Sequence, residues 1–386
     1  MNNFQYPPFS ESEYARRYAE VKKIMERHGL GVALCYGNRG AVGMLHYLAN
    51  FQPRWETFLV FPYSGEAVLF VQLYNHAPDA QRNAVIADTR WGGMDTTGSV
   101  AAELQERGLS AGAIGLAGGV PYQRYQALRK ALPEAAWVDL TGELARLRWI
   151  KSEEEIAVMR RAAELTDLAM AALAEELRPG MREIDLLGVM QAAVQMQGGQ
   201  VELCYLASTP MQDPNAFVPA QTLSERRIQA GDVVITEIGV SWGGYAGQIH
   251  RPLAVGTSPS AEYQQLFEVA SEAYYRVAEA IRPGASEQEV LAAAEVIHEK
   301  GFTICDDLVH GFGGGYLPPV LRTRRTSHGP VEPFVFEKNM CVVIQPNVIS
   351  PDRSMGIQLG QLHVVGDDGL EPLQHYPLEF IVTGAA

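Results

Sequence analysis

The sequence predicts two domains: an α/β unit over residues 1–150 and an α+β unit over residues 151–386 that carries an internal pseudo-twofold duplication. Three observations point there. At 386 residues the chain exceeds the length at which one hydrophobic core keeps growing, so two cores are the default. The N-terminal stretch alternates strand-like apolar runs with helical patterns, which is how an α/β layer reads. The C-terminal stretch repeats one pattern: ELTDLAMAALAEELRPGMREIDLLGVM and LFEVASEAYYRVAEAIRPGASEQEVLAAA each run as a long helix, Arg-Pro-Gly and a capped helix. Each copy is followed by a strand-rich section, as two α-α-β-β halves around a shared central sheet require.

In chain order, residues 11–28 place Tyr14, Tyr18, Val21, Ile24 and Met25 at helical spacing, and Gly29 closes the run. GVALCY, TFLVFP and AVLFVQ read as strands, the last after a Ser64-Gly65 turn. AAELQERG and YQRYQALRKALP read as helices around the strand and loop AGAIGLAG. Without Gly-x-Gly-x-x-Gly between strand and helix, that glycine-rich stretch is a turn and not a nucleotide site. Ser152 and Glu155 form a capping box for a helix from 153 to about 177, which ends at Arg178-Pro179-Gly180. The domain boundary falls near residue 150.

A net charge of −14 with 47% apolar residues excludes nucleic acid and anionic membrane as main partners, since both call for basic surface. MNNFQYPPFSESEYARR lacks the apolar core of a secretory leader, and no uninterrupted apolar run is long enough to span a bilayer. A soluble cytoplasmic protein is expected. The four cysteines Cys35, Cys204, Cys305 and Cys341 are scattered in apolar contexts and read as small hydrophobes, not as a disulfide framework or zinc site.

The chemistry concentrates on GDVVITEIGVSWGGYAGQIHRPLAVG, residues 231–256. Gly231-Asp232 launches an apolar strand, Gly243-Gly244 makes a tight turn and Ile249 resumes the pattern: a β-hairpin. Glu237, Gln248 and His250 lie on its strands, and burying them costs stability unless partners or a ligand satisfy them. LVHGFGGGYLPP sets His310 before glycines that let backbone approach a ligand. MCVVIQPNVI ends a strand on Gln345, and GIQLGQLHVVGDDG carries Gln358, Gly360 and Gln361.

These stretches resemble the pita-bread family, which includes methionine aminopeptidase, aminopeptidase P, prolidase and creatinase. The joining segment RWIKSEEEI, of the form Arg-x-x-Lys-Ser-x-x-Glu-Ile, belongs to the same resemblance, which is strong over residues 145–375. It implies a dinuclear metal site, with ligands at the positions of Glu237, Gln248, His310, Gln345 and Gly360. One carboxylate and one imidazole cannot offset two dications, so no metal and no other cofactor is expected. The resemblance then points to the creatinase branch, although His250 before Arg251 and Ala220 both depart from creatinase itself.

The expected function is therefore a metal-independent hydrolase of a non-peptide C–N bond in a small polar, carboxylated compound. Glu237, His310 and His250 would do the acid/base work, since a carboxylate near an imidazole raises its pKa and orients its tautomer. Gln248, Gln345, Gln358 and Gln361 would hold the substrate as neutral amides, and Arg322, in a basic run with Arg324, Arg325 and His328, would receive its carboxylate. The resemblance further implies a homodimer in which Arg54 and Trp55 of NFQPRWETF help close the partner's pocket. The sequence leaves open a non-catalytic binding protein, a lyase, or a metallopeptidase-like enzyme on the same fold.

Overall fold

The computed structural model describes residues 8–39 and 43–384; the expectation about a leader peptide rests partly on residues 1–7, outside this range. The chain divides into two units, Met1–Arg148 and Trp149–Ala386.

In the N-terminal unit the helix Glu11–Arg27 starts where Ser10 Oγ accepts the Glu13 N–H at 3.1 Å, the side-chain cap that satisfies an orphan donor of the first turn. It buries Tyr14, Val21, Ile24 and Met25. The sheet runs in the order Asp88–Trp91, Val68–Val71, Thr57–Pro62, Val32–Gly37, Gly112–Ala117, Ala135–Asp139. It is mixed: Val32–Gly37 lies antiparallel to Thr57–Pro62 and parallel to Gly112–Ala117. Both faces are covered. Ala33, Cys35, Leu59 and Leu69 enter one core and Val32, Leu34, Phe58 and Val60 the other, the period of two expected of a strand. This explains why the central strands read as unbroken apolar runs. The edge strands Asp88–Trp91 and Ala135–Asp139 carry polar and exposed residues, so periodicity alone does not announce them.

In the C-terminal unit the duplication is visible down to single side chains. Glu153–Glu176 leads through Arg178-Pro179-Gly180 to Glu183–Gln195, and Ala261–Ala280 leads through Arg282-Pro283-Gly284 to Glu287–Ala293. Glu183 opens one second helix and accepts the Ser208 and Ser224 N–H groups; Glu287 opens the other and accepts the Phe334 N–H at 2.8 Å. The capping box is present: Ser152 Oγ accepts the Glu155 N–H at 3.2 Å while Glu155 accepts the Ser152 N–H at 3.0 Å. Glu155 also accepts the Tyr245 hydroxyl at 2.7 Å, which ties this helix to the hairpin.

The hairpin forms as its sequence dictates, with strands Asp232–Trp242 and Tyr245–His250 joined at Gly243 (φ +61°) and Gly244 (φ +79°). These are positions where an L side chain is strained. The sheet runs Gly315–Leu321, Val309–Gly313, Cys341–Ile344, Gly360–Val365, Tyr245–His250, Asp232–Trp242, Leu253–Val255, Ile381–Thr383, with Gln200–Pro210 also paired to the first hairpin strand. Its strands share two cores, one built around Leu165, Leu186, Val234 and Ile249 and the other around Tyr263, Leu266, Val342 and Ile344. The sheet thereby brings four sequence-distant motifs onto neighbouring strands. All four cysteines are free, and among the described residues no helix is long and apolar enough to cross a membrane.

Candidate functional site

Glu237 sits in the middle of the first hairpin strand, opposite Tyr205. Gln248 lies on the return strand opposite Gly239, and Gly360 is placed opposite His250. His310 faces Val343 of Cys341–Ile344, and Gln345 follows that strand, its N–H donating to Leu308 O at 2.9 Å. The side chains meet in a hydrogen-bonded line. Gln248 Nε2 donates to Glu237 Oε1 at 2.8 Å and to Gln345 Oε1 at 3.3 Å, and His310 Nε2 lies 3.3 Å from that same Gln345 oxygen. Gln358 Nε2 donates to the other Glu237 oxygen at 3.3 Å.

A cavity of about 620 Å³ opens on this line. Glu237, Gln248 and Gln345 line it together with Glu202, Tyr205, Gln221, Asp306, Asp307, Phe312 and Tyr316. Burial, reinforced by the charge of Asp306 and less by that of Asp307, pushes the Glu237 carboxyl up to about 7 against the pull of its two amide donors. A carboxyl poised there exchanges its proton near neutral pH. His310 is 1% exposed, is stacked on Tyr316 with ring centres 4.3 Å apart, and has its pKa lowered by burial.

The line can exist in two polarities. Both ring nitrogens of His310 face acceptors, Gly311 O at 3.1 Å and Gln345 Oε1, yet a neutral imidazole has one N–H. Gln248 Oε1 and Gln358 Oε1 are buried and unpartnered. When Glu237 takes a proton its hydroxyl needs an acceptor; flipping the Gln248 and Gln345 amides supplies Gln248 Oε1 to that hydroxyl and a Gln345 N–H to His310. The amides thus couple the carboxyl's protonation to the imidazole.

Other predicted site residues are placed elsewhere. His250 is fully buried, is not among the described residues that line the cavity, and meets the line at Gln248, 3.3 Å away; burial first, then the charges of His310 and Arg251, holds its pKa far down. It is an enclosed neutral ring, not a second acid/base group. Gln361 accepts Arg251 Nη2 at 2.6 Å and serves that buried guanidinium. Arg322 donates to Asp307 Oδ1 at 2.9 Å and Cys305 O at 3.1 Å, so its charge is matched by a carboxylate of the protein. Arg324 turns to Gln288 and Arg325 to Glu295, which disperses the basic run. Arg54 and Trp55 line a cavity of about 700 Å³ within the N-terminal unit, with Tyr36, Asn38, Arg39, Glu56 and Gln72.

The residues do not fit the pair of metal ions that the resemblance implies. The five ligand positions offer one carboxylate and one imidazole, and among the described residues no group of three or more His, Cys, Asp or Glu could hold an ion. Gly360 goes further. A Cβ added there would lie 1.9 Å from Ile344 O and 2.8 Å from Gln345 Cα, so backbone fills the place from which a bridging carboxylate would extend.

Sequence reading missed Asp306, Asp307, Tyr205, Phe312 and Tyr316. The available signal was the acidic pair in CDDLVHG, charges set beside an apolar strand only two residues before His310's own.

Comparison with known proteins matches residues 157–367 to the metallopeptidase family M24 and residues 17–150 to the creatinase/prolidase N-terminal domain. The Xaa-Pro dipeptidase of Pyrococcus furiosus is 26% identical over 263 residues, 67% of this chain and 73% of the relative. The Xaa-Pro dipeptidase of Lactobacillus delbrueckii subsp. lactis is 27% identical over 267 residues, 68% and 70% of the two chains. Among solved structures, the X-Pro aminopeptidase of Thermotoga maritima superposes with a TM-score of 0.81 at 19% identity, covering 95% of this chain and 99% of the other. The prolidase of Pyrococcus horikoshii gives 0.80 at 20%, covering 95% and 100%. These confirm the two-domain pita-bread fold. They overturn the expectation of a metal-independent, creatinase-like hydrolase of non-peptide C–N bonds, because the relatives are named dipeptidases and the matching family is one of metallopeptidases. With the family match covering more than half of its length, the chain belongs to metallopeptidase family M24.

Proposed function

We propose that the chain hydrolyses a peptide-type amide bond in a small, dipeptide-sized substrate held in the cavity of the C-terminal unit, with Glu237 as the acid/base group. The observation that carries this reading is a carboxyl that lines a cavity and is brought to about 7 by burial and neighbouring acids. The family match and the relatives' names support the bond type.

As the carboxylate, Glu237 takes a proton from a water as its oxygen bonds to the carbonyl carbon. It returns that proton to the nitrogen as the C–N bond breaks, giving acid and amine. With both Gln248 N–H groups given to Glu237 and Gln345, the amide N–H groups of Gln221 and Gln345 are the neutral donors available to the oxyanion that forms between these steps. His310 does not line the cavity; it acts as a positioning residue, holding Gln345 and, through it, the polarity of the line. Gln358 steadies the second Glu237 oxygen. By family resemblance the working species is a homodimer with Arg54 and Trp55 serving the partner's cavity; light scattering reading the mass of one chain would end that element of the proposal.

The test is a panel of dipeptides, Xaa-Pro among them, and of amides of matched size, followed by mass spectrometry for addition of water. Turnover that falls at least a hundredfold in kcat in Glu237→Gln, with the fold intact, supports the reading. Products without added water, or a Glu237→Gln enzyme as fast as the parent, defeat it.

A further inference from the structure

We infer that the N-terminal unit has a binding site of its own, an aromatic corner closed by Asp139, and that its ligand is a small methylated ammonium cation. The site shares no residue with the cavity of the C-terminal unit, and the inference does not rest on the reaction proposed there.

The topology prepares the place. Gly112–Ala117 and Ala135–Asp139 are parallel neighbours, and the helix Tyr122–Ala131 connects them. In open α/β sheets ligands settle outside the carboxyl ends of such strands. A cavity of about 410 Å³ opens there, lined by Leu116 and Asp139, which pair across the two strand ends. That volume suits a small molecule. The glycine-rich turn that lacks a phosphate fingerprint also lines it: Gly118 donates its N–H to Thr141 Oγ1 at 3.2 Å, which fixes the turn to the start of the next helix.

The lining chooses the ligand. Three rings stand in it, Tyr122, Tyr125 and Trp137. The planes of Tyr125 and Trp137 meet at 79° with ring centres 5.8 Å apart, so the pair makes a corner and not a parallel stack. Tyr122 is 74% exposed, a large ring kept in water beside a cavity. Aromatic faces attract organic cations through their quadrupole. The chain itself uses that pull: Arg129, outside the described lining, sets its guanidinium carbon 5.9 Å from the centre of the Tyr125 ring. Asp139 supplies the charge, the only one among the described lining residues. The Thr141 hydroxyl first and its N–H second, at 2.8 Å, hold this carboxyl below the usual carboxylate range, so it is ionised at neutral pH. Among the described residues no cation pairs with it. A metal ion would find one carboxylate and too few oxygens. A bare ammonium would bring N–H groups to walls made mostly of ring and aliphatic surface, where acceptors are few. Methyl groups need no acceptor and pack on the rings, while the positive charge meets Asp139.

The test is calorimetric titration of the full chain with three probes: choline; its neutral isostere, in which carbon replaces the charged nitrogen; and ethanolamine, the same cation without methyl groups. Choline is expected to bind at least tenfold tighter than the isostere and at least threefold tighter than ethanolamine. Tyr122→Leu, a change at an exposed ring, should weaken choline at least threefold with the melting temperature unchanged. Asp139→Asn, which keeps an acceptor for Thr141, should bring choline to within threefold of the isostere. Glu237→Gln, in the C-terminal unit, should alter neither affinity. Equal affinity for choline and the isostere, ethanolamine binding as tightly as choline, choline affinity unchanged in either N-terminal variant, its loss in Glu237→Gln, or no choline binding at millimolar concentration would each overturn the inference. These readouts need no turnover, so this inference and the proposed reaction fail separately.

Discussion

Glu237 links stability to activity, and the sign can be worked out. Its folded value of about 7 lies above the ordinary 4.5, so the folded state holds a proton that the unfolded chain gives up. The stability it contributes is complete below pH 4.5 and is lost as pH rises through 7. Asp306, Asp307, Gln248 and Gln358 face it, and the first two add to the cost of its charge. Glu237→Gln removes that cost. Denaturant melts of this variant should match the parent at pH 4 and exceed it at pH 9 by up to roughly 3 kcal/mol. The same carboxylate is the base, so kcat should rise with pH through about 7 in the parent. A pH-independent stability difference would show that Glu237 is not the buried acid described here.

The element that fixes the site is the strand pair Cys341–Ile344 and Gly360–Val365. At Gly360 the partner backbone stands where a side chain would begin, with Ile344 O only 1.9 Å from an added Cβ. Gly360→Ala therefore has to push these paired strands apart, and a loss of more than about 3 kcal/mol is expected, well beyond an ordinary substitution. Gly360→Glu should unfold the unit and not complete a ligand set. An unchanged melt for Gly360→Ala would contradict the strand spacing. Arg251 locks the same region: fully buried, it donates to Pro377 O, His250 O, Gly360 O, Gln361 Oε1 and Tyr376 O. Lys cannot reproduce that fork, so Arg251→Lys should cost at least about 2 kcal/mol in the same melts, through stranded carbonyls.

What the chain discloses also divides at this scale. The hairpin, the capping box and the repeated Arg-Pro-Gly halves are local, set by turn residues and periodicity, and they read directly from the sequence. Gly360 could be read as a missing carboxylate, but not as a place closed by Ile344. Arg322 looked like a free cation because its partner, Asp307, lies fifteen residues earlier across a hairpin. Asp306 went unnoticed since one adjacent acidic pair has no period to mark it as facing a cavity. His250 was read as a site group because exposure to a cavity, as opposed to burial beside one, is a property of the assembled sheet.

At the scale of the whole molecule, a net charge of −14 adds a long-range field to the local one. That field attracts cations and is screened within about 10 Å at 0.1 M salt. The association rate of choline should accordingly fall several-fold between 20 and 300 mM salt, while that of its neutral isostere stays flat; identical salt dependence would remove the field from the account. Acid should loosen the molecule through His363, which is fully buried against the Tyr274 hydroxyl at 2.7 Å. Burial pulls its pKa down to about 4 from 6.5. Its neutral form therefore contributes stability that is whole above pH 6.5 and lost as pH falls toward 4, up to roughly 3 kcal/mol. In His363→Gln the fall in melting temperature over that window should flatten; a parent-like slope would acquit this residue. The central claim is that proton transfer by Glu237 cleaves a small amide in the C-terminal cavity, and single-turnover hydrolysis in parent and Glu237→Gln tests it most directly. The account expects cleavage with one water added in the parent and at least a hundredfold slower cleavage in a folded, substrate-binding variant; equal rates in the two proteins would contradict it.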